Sequence, residues 1–346
     1  MHKLRLLYWV MMTGVFACQS PQMEAPRPNI LYIMADDHTA QAWGIYGGVL
    51  ADYAQTPGIR RLAEEGVVLD NAFCTNSICT PSRATIMTGQ YSHRNGVFTL
   101  SEALEPDSMN IAKTLQASGY QTAIIGKWHL KKRPSGFDYF HVLPGQGRYH
   151  DPILKTADNW QDGDKGGQVY EGFSADVIGD FSVEWLKNRD PEKPFFLMTH
   201  FKATHEPFDY PDRHKDLLAE VDLPEPASLY DFGPETNGRS YAGQQLWILG
   251  DRWVNASQSL EPGKRPRYPG LPFSLDGLDS IAARKKIYQK FVKDFLRSGA
   301  AIDDNIRKLL DYLDAAGLAE NTVVIYTADQ GYFLGEHGMF YKRMIY

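Results

Sequence analysis

Cysteine is scarce in this chain: 346 residues carry three, Cys18, Cys74 and Cys79. So few exclude a disulfide framework, and the lack of any C-x-x-C pair excludes ribbon-type zinc sites. Basic excess is missing as well. With 36 Lys and Arg against 42 Asp and Glu, the formal net charge is -6 and the pI is near 5.9. That balance argues against nucleic acid as a partner, which needs a basic surface. It leaves room for a small anion, because a local cationic pocket can sit in an acidic protein. There is no internal repeat and no low-complexity tract. The apolar run near the N-terminus, Leu6 to Phe16, is too short to span a bilayer as a mature helix. What is present is ample core material, 43% hydrophobic and 12% aromatic, enough for one large α/β domain or two medium ones.

His2, Lys3 and Arg5 precede that apolar run, and Val15-Phe16-Ala17-Cys18 follows it. This is the layout of an export signal ending in a small residue and a cysteine, as at a bacterial lipoprotein processing site. Residues 1–18 are therefore expected to be a signal peptide of lipoprotein type. Residues 19–27 form a proline-bearing linker and 28–346 one catalytic domain. Phe16 is bulkier than usual there, so cleavage after Ala17 without lipidation is the alternative. Both readings export the protein, to the periplasm or to the outer membrane or cell surface on a lipid anchor. In an oxidising compartment Cys74 and Cys79 could pair. That pairing would leave Pro81-Ser82-Arg83 without a purpose.

Along the chain, apolar runs alternate with amphipathic stretches. Asn29 to Ala35 reads as a strand buried on both faces, ending at Asp36-Asp37. Thr56-Pro57 opens a helix through Ala63, stopped by Gly66. Val67 to Phe73 is expected as the next strand. A helix over Met109–Ser118 feeds a strand over Thr122–Ile125. Another over Asp176–Asn188 precedes a strand over Phe195–Met198. A periodic helix over Ile302–Ala316 precedes a strand over Thr322–Thr327. Between Pro207 and Lys290 the pattern dissolves into Pro, Gly and Asp-rich sequence, expected as long excursions over the sheet. The alternation predicts a doubly wound α/β sheet, whose sites form beyond the carboxyl ends of the strands. Asp36 and Asp37, Lys127 and His129, His205, and Asp329 with Gln330 all fall at such ends.

Asp36-Asp37 offers two hard oxygen donors suited to Ca²⁺ or Mg²⁺, or else caps a turn. Asp329-Gln330 adds a carboxylate and an amide oxygen. A set rich in oxygen and poor in cysteine and histidine favours calcium over zinc. Pro81 suits the first turn of a helix. If that helix continues over Thr85–Gln90, Cys79 lies at its N-terminus, where amides and dipole favour an anion. A thiol there could also be a low-pKa thiolate nucleophile.

Cys79-Thr80-Pro81-Ser82-Arg83, continued by Ala84-Thr85-Ile86-Met87-Thr88-Gly89, resembles the C-x-P-S-R-x-x-x-x-T-G motif of type I sulfatases. Gly126-Lys127-Trp128-His129-Leu130 and His205-Glu206-Pro207 resemble further motifs of that family, and Lys342 resembles its second sulfate-binding lysine. The resemblance runs from about Pro28 to Tyr346. It implies an alkaline-phosphatase-like fold, with a mostly parallel sheet flanked by helices. It implies a calcium ion held by Asp36, Asp37, Asp329 and Gln330 together with the modified Cys79. It also implies oxidation of Cys79 to formylglycine by a maturing enzyme. The hydrated aldehyde would attack the sulfur of a sulfate ester and later expel sulfate. Arg83 would brace the hydrate, and Lys127, His205 and Lys342 would contact the sulfate. His205 would be general acid to the leaving oxygen, and His129 would take a proton as sulfate departs. His337, in Gly335-Glu336-His337-Gly338, is a further substrate contact or a plain loop residue. Asp36-Asp37-His38, Leu143-Pro144-Gly145-Gln146-Gly147 and the His337 segment resemble bacterial N-acetylglucosamine-6-sulfatases, which points to the 6-O-sulfate of a sulfated glycan as substrate. A phosphonate or phosphate ester hydrolase of the same superfamily, and an inactive truncated relic that binds glycan, are the alternatives. Gln330 departs from the asparagine or histidine of many members but keeps an oxygen donor. The family's C-terminal subdomain has no counterpart before Tyr346, so apolar surface is expected to be exposed.

Overall fold

A computed structural model describes residues 27–231 and 245–343. The expected signal peptide 1–18, and the linker 19–27 apart from Arg27, lie outside the described residues. The centre is a five-stranded sheet of β1 (Asn29–Asp36), β2 (Gln121–Lys127), β3 (Tyr139–Leu143), β6 (Phe195–Thr204) and β7 (Thr322–Ala328). Its order is β3-β2-β6-β1-β7, and every neighbouring pair is parallel. Two short antiparallel hairpins, β4 (Ile153–Leu154) with β5 (Gln168–Val169) and β8 (Phe333–Leu334) with β9 (Phe340–Tyr341), lie outside it.

The apolar runs of the central strands serve two cores because successive side chains leave opposite faces. Leu31, Ile33, Ala123, Ile125, Phe195 and Leu197 pack on one face. Their neighbours Ile30, Tyr32, Ile124, Phe196 and Met198 pack on the other. The first face is covered by α1 (Pro57–Glu65), α5 (Ser174–Asn188) and the end of α7 (Ser280–Ala315). The second is covered by α2 (Cys79–Thr88), which leads through the single turn α3 (Ser92–Asn95) to α4 (Ile111–Ala117). The expected doubly wound sheet is therefore present. At roughly 1.5–3 kcal/mol per buried large aliphatic side chain, this double burial dominates the stabilising side.

Three expectations are corrected. Val67 to Phe73 forms no strand. Asp70 and Asn71 turn the chain, and Val67, Leu69 and Phe73 stand 85%, 67% and 86% exposed, because no strand edge satisfies their backbone groups. The 207–290 stretch is not all excursion: it contains α6 (Leu246–Gln258) and the start of α7. The periodic helix begins at Ser280 rather than Ile302, and Asp279 caps it by accepting from the amides of Ile281 (3.0 Å) and Ala282 (2.8 Å). Ile287, Phe291 and Phe295, each four apart, were hidden among the Lys and Arg of the opposite face. They build a third core with Leu246, Leu249 and Trp253 of α6. The short strand β3 also carried no signal that set it apart from a loop. Besides the Val67–Phe73 segment, Val323 and Ile325 of β7, a strand at the edge of the sheet, are 48% and 40% exposed.

Candidate active site

The carboxyl ends of β1, β2, β6 and β7 converge on one point. β1 delivers Asp36 and, one residue beyond it, Asp37, whose left-handed backbone (φ 68°) turns the chain away from the sheet. Both are buried. Asp37 donates its amide to Asp329 Oδ1 at 3.1 Å, which ties the end of β1 to the end of β7. β2 ends on Lys127, and β6 leads into His205.

α2 begins at Cys79, with extended Ile78 before it and no side chain capping its first amides. Left-handed Gly89 closes it (φ 66°), its amide bonded to the Thr85 carbonyl. The nucleophile position therefore sits at a helix N-terminus, as expected. Cys79 Sγ lies 3.4 Å from Asp36 Oδ1, 3.2 Å from Lys342 Nζ and 3.7 Å from Gln330 Nε2. Arg83, one turn further along the same buried face, donates Nε to Asp329 Oδ2 (2.9 Å) and Nη1 to the Lys127 carbonyl (2.7 Å). Its Nη2 stands 3.6 Å from Asp36 Oδ1. Arg83 thus clamps three strand ends at once, a larger duty than bracing one hydroxyl.

Both lysines lie among the carboxylates. Lys127 Nζ pairs with Asp36 and also donates to Gln146 Oε1 at 2.6 Å. Lys342 Nζ pairs with Asp37. His205 Nε2 is 3.9 Å from Asp37 Oδ2, and its Nδ1 donates to the Glu206 carbonyl at 2.8 Å. His129 joins through its backbone, whose carbonyl accepts from Thr80 Oγ1 at 3.1 Å. Its buried Nδ1 has no partner. His337 goes elsewhere: its ring faces Asp231 at 3.7 Å and its amide donates to Ser228. His200, the rival of His205, is buried against the Lys127 carbonyl at 3.1 Å.

The electrostatics follow from packing three carboxylates out of water. Burial and the Asp36 charge push Asp329 up to about 8. Burial also raises Asp37, against the pull of Lys342. Asp36 goes the other way: burial opposes its charge, but the cations Lys127, Arg83 and Lys342 outweigh it and hold the carboxyl well below its ordinary range. Burial and Asp36 push the Cys79 thiol up to about 12. Burial and the neighbouring Asp36 thus work against the low-pKa thiolate that a helix N-terminus alone would favour at Cys79. The Cys74–Cys79 pair is also not formed. Both thiols are free, and Cys74 Sγ lies 3.6 Å from Ser82 Oγ. Burial and Lys127 hold His129 down to about 2, and burial keeps His205 well below its ordinary value, so both imidazoles are neutral.

Oxygens of Asp36, Asp37 and Asp329 lie within 4.8 Å of one another, and the buried Oε1 of Gln330 has no partner. Three buried carboxylates and an orphaned amide oxygen suit a hard divalent cation held entirely by oxygen. Several close residues were not identified as site residues from sequence. Gln146 holds Lys127, and the hydroxyl of Ser82 bonds to the Asp329 carbonyl. Tyr149 donates its hydroxyl to the His205 carbonyl at 2.6 Å. Lys202 had one signal: a cation inside the otherwise neutral run of a fully buried strand.

The chain is similar to known proteins. Over 95% of its length this chain is 38% identical to an N-acetylglucosamine-6-O-sulfatase of Bacteroides thetaiotaomicron, and it spans 63% of that relative. It is 27% identical, over 91% of its length, to a Ulvan-active sulfatase of Formosa agariphila, of which it spans 52%. A solved structure of a protein in complex with its substrate D-glucosamine-2-N,6-O-disulfate superposes with a TM-score of 0.79 at 35% identity, covering 92% of this chain and 69% of that one. The chain thus spans about half to two thirds of the curated relatives it matches. The sulfatase family model matches residues 28–345; with Cys79, the paired aspartates and both lysines gathered at one sheet edge, this chain belongs to the sulfatase family.

Proposed function

We propose that this protein hydrolyses sulfate esters of a glycan, taking the 6-O-sulfate of N-acetylglucosamine, after Cys79 is converted to formylglycine by a maturing enzyme. The observation that carries this is the surroundings of Cys79: a buried, unreactive thiol facing Lys342 at 3.2 Å, at the head of α2 and beside three carboxylates. That environment fails a thiolate and suits a modified side chain working next to a cation. Asp36, Asp37, Asp329 and Gln330 would hold Ca²⁺. The ion would withdraw charge from a sulfate oxygen, and formylglycine would supply a hydroxyl nucleophile and a second hydroxyl to release sulfate.

This chain's own residues do the rest. Lys127 and Lys342, now neutralising Asp36 and Asp37, supply positive charge for the oxygens of an incoming sulfate. Neutral His129, with Nδ1 free, accepts a proton beside Lys127. His205 is the acid for the departing sugar oxygen. An anion bound against it raises its proton affinity, which burial has lowered. Arg83 holds the strand ends in register. We further propose that the protein is exported, with a lipid anchor at Cys18.

The test joins two measurements on the mature protein: the mass of the peptide containing Cys79, and sulfate release from N-acetylglucosamine-6-sulfate against a panel of aryl phosphodiesters and phosphonates. Formylglycine together with sulfate release is expected. Full turnover by unmodified Cys79, or turnover confined to the phosphorus esters, defeats the reading.

A further inference from the structure

A cavity of about 680 Å³ opens beside His205 and Gln146, the residue that holds Lys127. Four cations line it: Arg148, Lys202, Arg265 and Arg267. None of the four lies within ion-pair distance of a carboxylate among the described residues. Arg148 donates Nε to the Asp151 carbonyl at 2.7 Å. Arg267 lies over the Tyr268 ring at 5.3 Å. Arg265 reaches His150 Nε2 at 3.0 Å. Arg61, Arg213, Arg252, Arg297 and Arg307, by contrast, each hold a carboxylate.

The acids of the same wall are already engaged. Glu206 accepts from Arg252 (2.7 and 2.8 Å) and from the Tyr268 hydroxyl (2.6 Å). Asp209 meets His150 at 3.0 Å, and Asp151 accepts the Gly172 amide. With Glu206 neutralised by Arg252, the four cations face only Asp151 and Asp209, so the lining carries excess positive charge in a protein whose net charge is -6. Lys202 sharpens the point. It is 3% exposed, and its ammonium lies over the Tyr149 ring at 4.7 Å. Burial, then Lys127, holds it down to about 8. Asp36 and Asp37 favour its charge but do not offset the burial, and an anion in the cavity lowers the remaining cost.

We propose that this cavity is a second anion subsite, which uses Arg148, Lys202, Arg265 and Arg267 to bind another sulfate or carboxylate of the glycan whose 6-O-sulfate sits at Cys79. Arginine suits both anions, since its planar fork matches either by paired hydrogen bonds. The substrate class is thereby narrowed to polyanionic glycans. The choice of sugars rests on the sulfated-glycan reading above.

The test is calorimetric binding to the full protein carrying Cys79→Ala, which cannot turn over. Three ligands are compared: glucosamine 6-O-sulfate, glucosamine 2-N,6-O-disulfate, and a disaccharide joining 6-O-sulfated N-acetylglucosamine to a uronate. A second anion is expected to tighten binding at least about tenfold at low ionic strength, and this gain to fade with salt. Gain with the disulfate places a sulfate of the same sugar in the cavity; gain with the disaccharide places a neighbouring carboxylate there. Adding Arg265→Ala and Arg267→Ala, both exposed, is expected to abolish the gain while binding of the monosulfate persists. Lysine at both positions restores part of it. Equal affinity for all three ligands, or a gain untouched by the double alanine variant, overturns the proposal. Sulfate release by the mature wild-type protein is read separately. If it fails while the second-anion gain stands, the hydrolase reading falls and the subsite remains.

Discussion

Single residues carry this site in ways their identities only half disclose. Gly126 sits on β2 just before Lys127 with φ 104°, and a Cβ there would meet the His200 carbonyl oxygen at 1.9 Å. β2 and β6 can approach only because no side chain intervenes. Gly126→Ala is therefore expected to cost more than about 3 kcal/mol, seen as loss of soluble protein or a collapse of the thermal midpoint. A soluble variant of near wild-type stability would refute that account of the strand packing. Lys127 poses a different question, because it serves both the buried Asp36 and the expected sulfate. Lys127→Met should lower turnover by roughly 10²–10³-fold. It should also destabilise the calcium-free protein by about 3–5 kcal/mol, since Asp36 loses its partner. Steady-state kinetics and denaturant titration check the two halves independently.

Elements reach their places through side chains that belong to other elements. α5 crosses α7 closely where Gly179 meets Asn305: a Cβ on Gly179 would stand 2.2 Å from Asn305 Oδ1. Asn305 cannot simply swing aside, because its Nδ2 donates to Asp176 Oδ1 and to the Ala301 carbonyl, both at 2.9 Å. Gly179→Ala is expected to cost about 1–3 kcal/mol, and Asn305→Ala in the same chain to recover part of it; additive losses in that double-mutant cycle would argue against the contact. α7 also anchors the segment after β6 through Asp304, which accepts from Arg213 Nε (2.7 Å), His214 Nε2 (2.8 Å) and Arg307 Nη2 (2.7 Å). Burial works against its charge, but these three bonds outweigh it and hold the carboxyl below its ordinary range. A depressed carboxyl contributes stability that is full above its unfolded pKa and is lost as pH falls through the folded value. Asp304→Asn should thus cost about 1–2 kcal/mol at neutral pH and progressively less in strong acid. A pH-independent difference between the two proteins would count against this account.

At the scale of the whole molecule, two of the three cores are joined by one rod. α7, 36 residues long and so about 54 Å end to end, buries Phe291 and Phe295 in one core and Ile306 and Leu309 in another. Arg83 with Asp36 and Asp329 ties β1, α2 and β7 together. Calcium at the carboxylate cluster is expected to raise the unfolding midpoint, by the equivalent of about 2.7 kcal/mol at a hundredfold excess over Kd. Chelation should reverse it, and thermal melts with and without EDTA measure the difference; identical melts would remove the cation from the site. Much of this was legible beforehand. The continuous apolar runs of β1, β2 and β6 announce strands buried on both faces. The Cys79 motif and the aspartates at strand ends announce the cluster, since short-range patterns are written residue by residue. Val67–Phe73 reads as a strand by composition and is none, because strand pairing needs an edge that no local pattern can supply. The first half of α7 and all of α6 escaped notice because their apolar faces make sense only against each other. Local chemistry, then, determined which side chains could hold a cation, a modified cysteine and a sulfate. Tertiary structure alone decided that Cys79 is buried among carboxylates that push its thiol up, and that Arg148, Lys202, Arg265 and Arg267 line one cavity in excess of its carboxylates, because burial and Coulomb fields depend on distance in space and not on spacing along the chain.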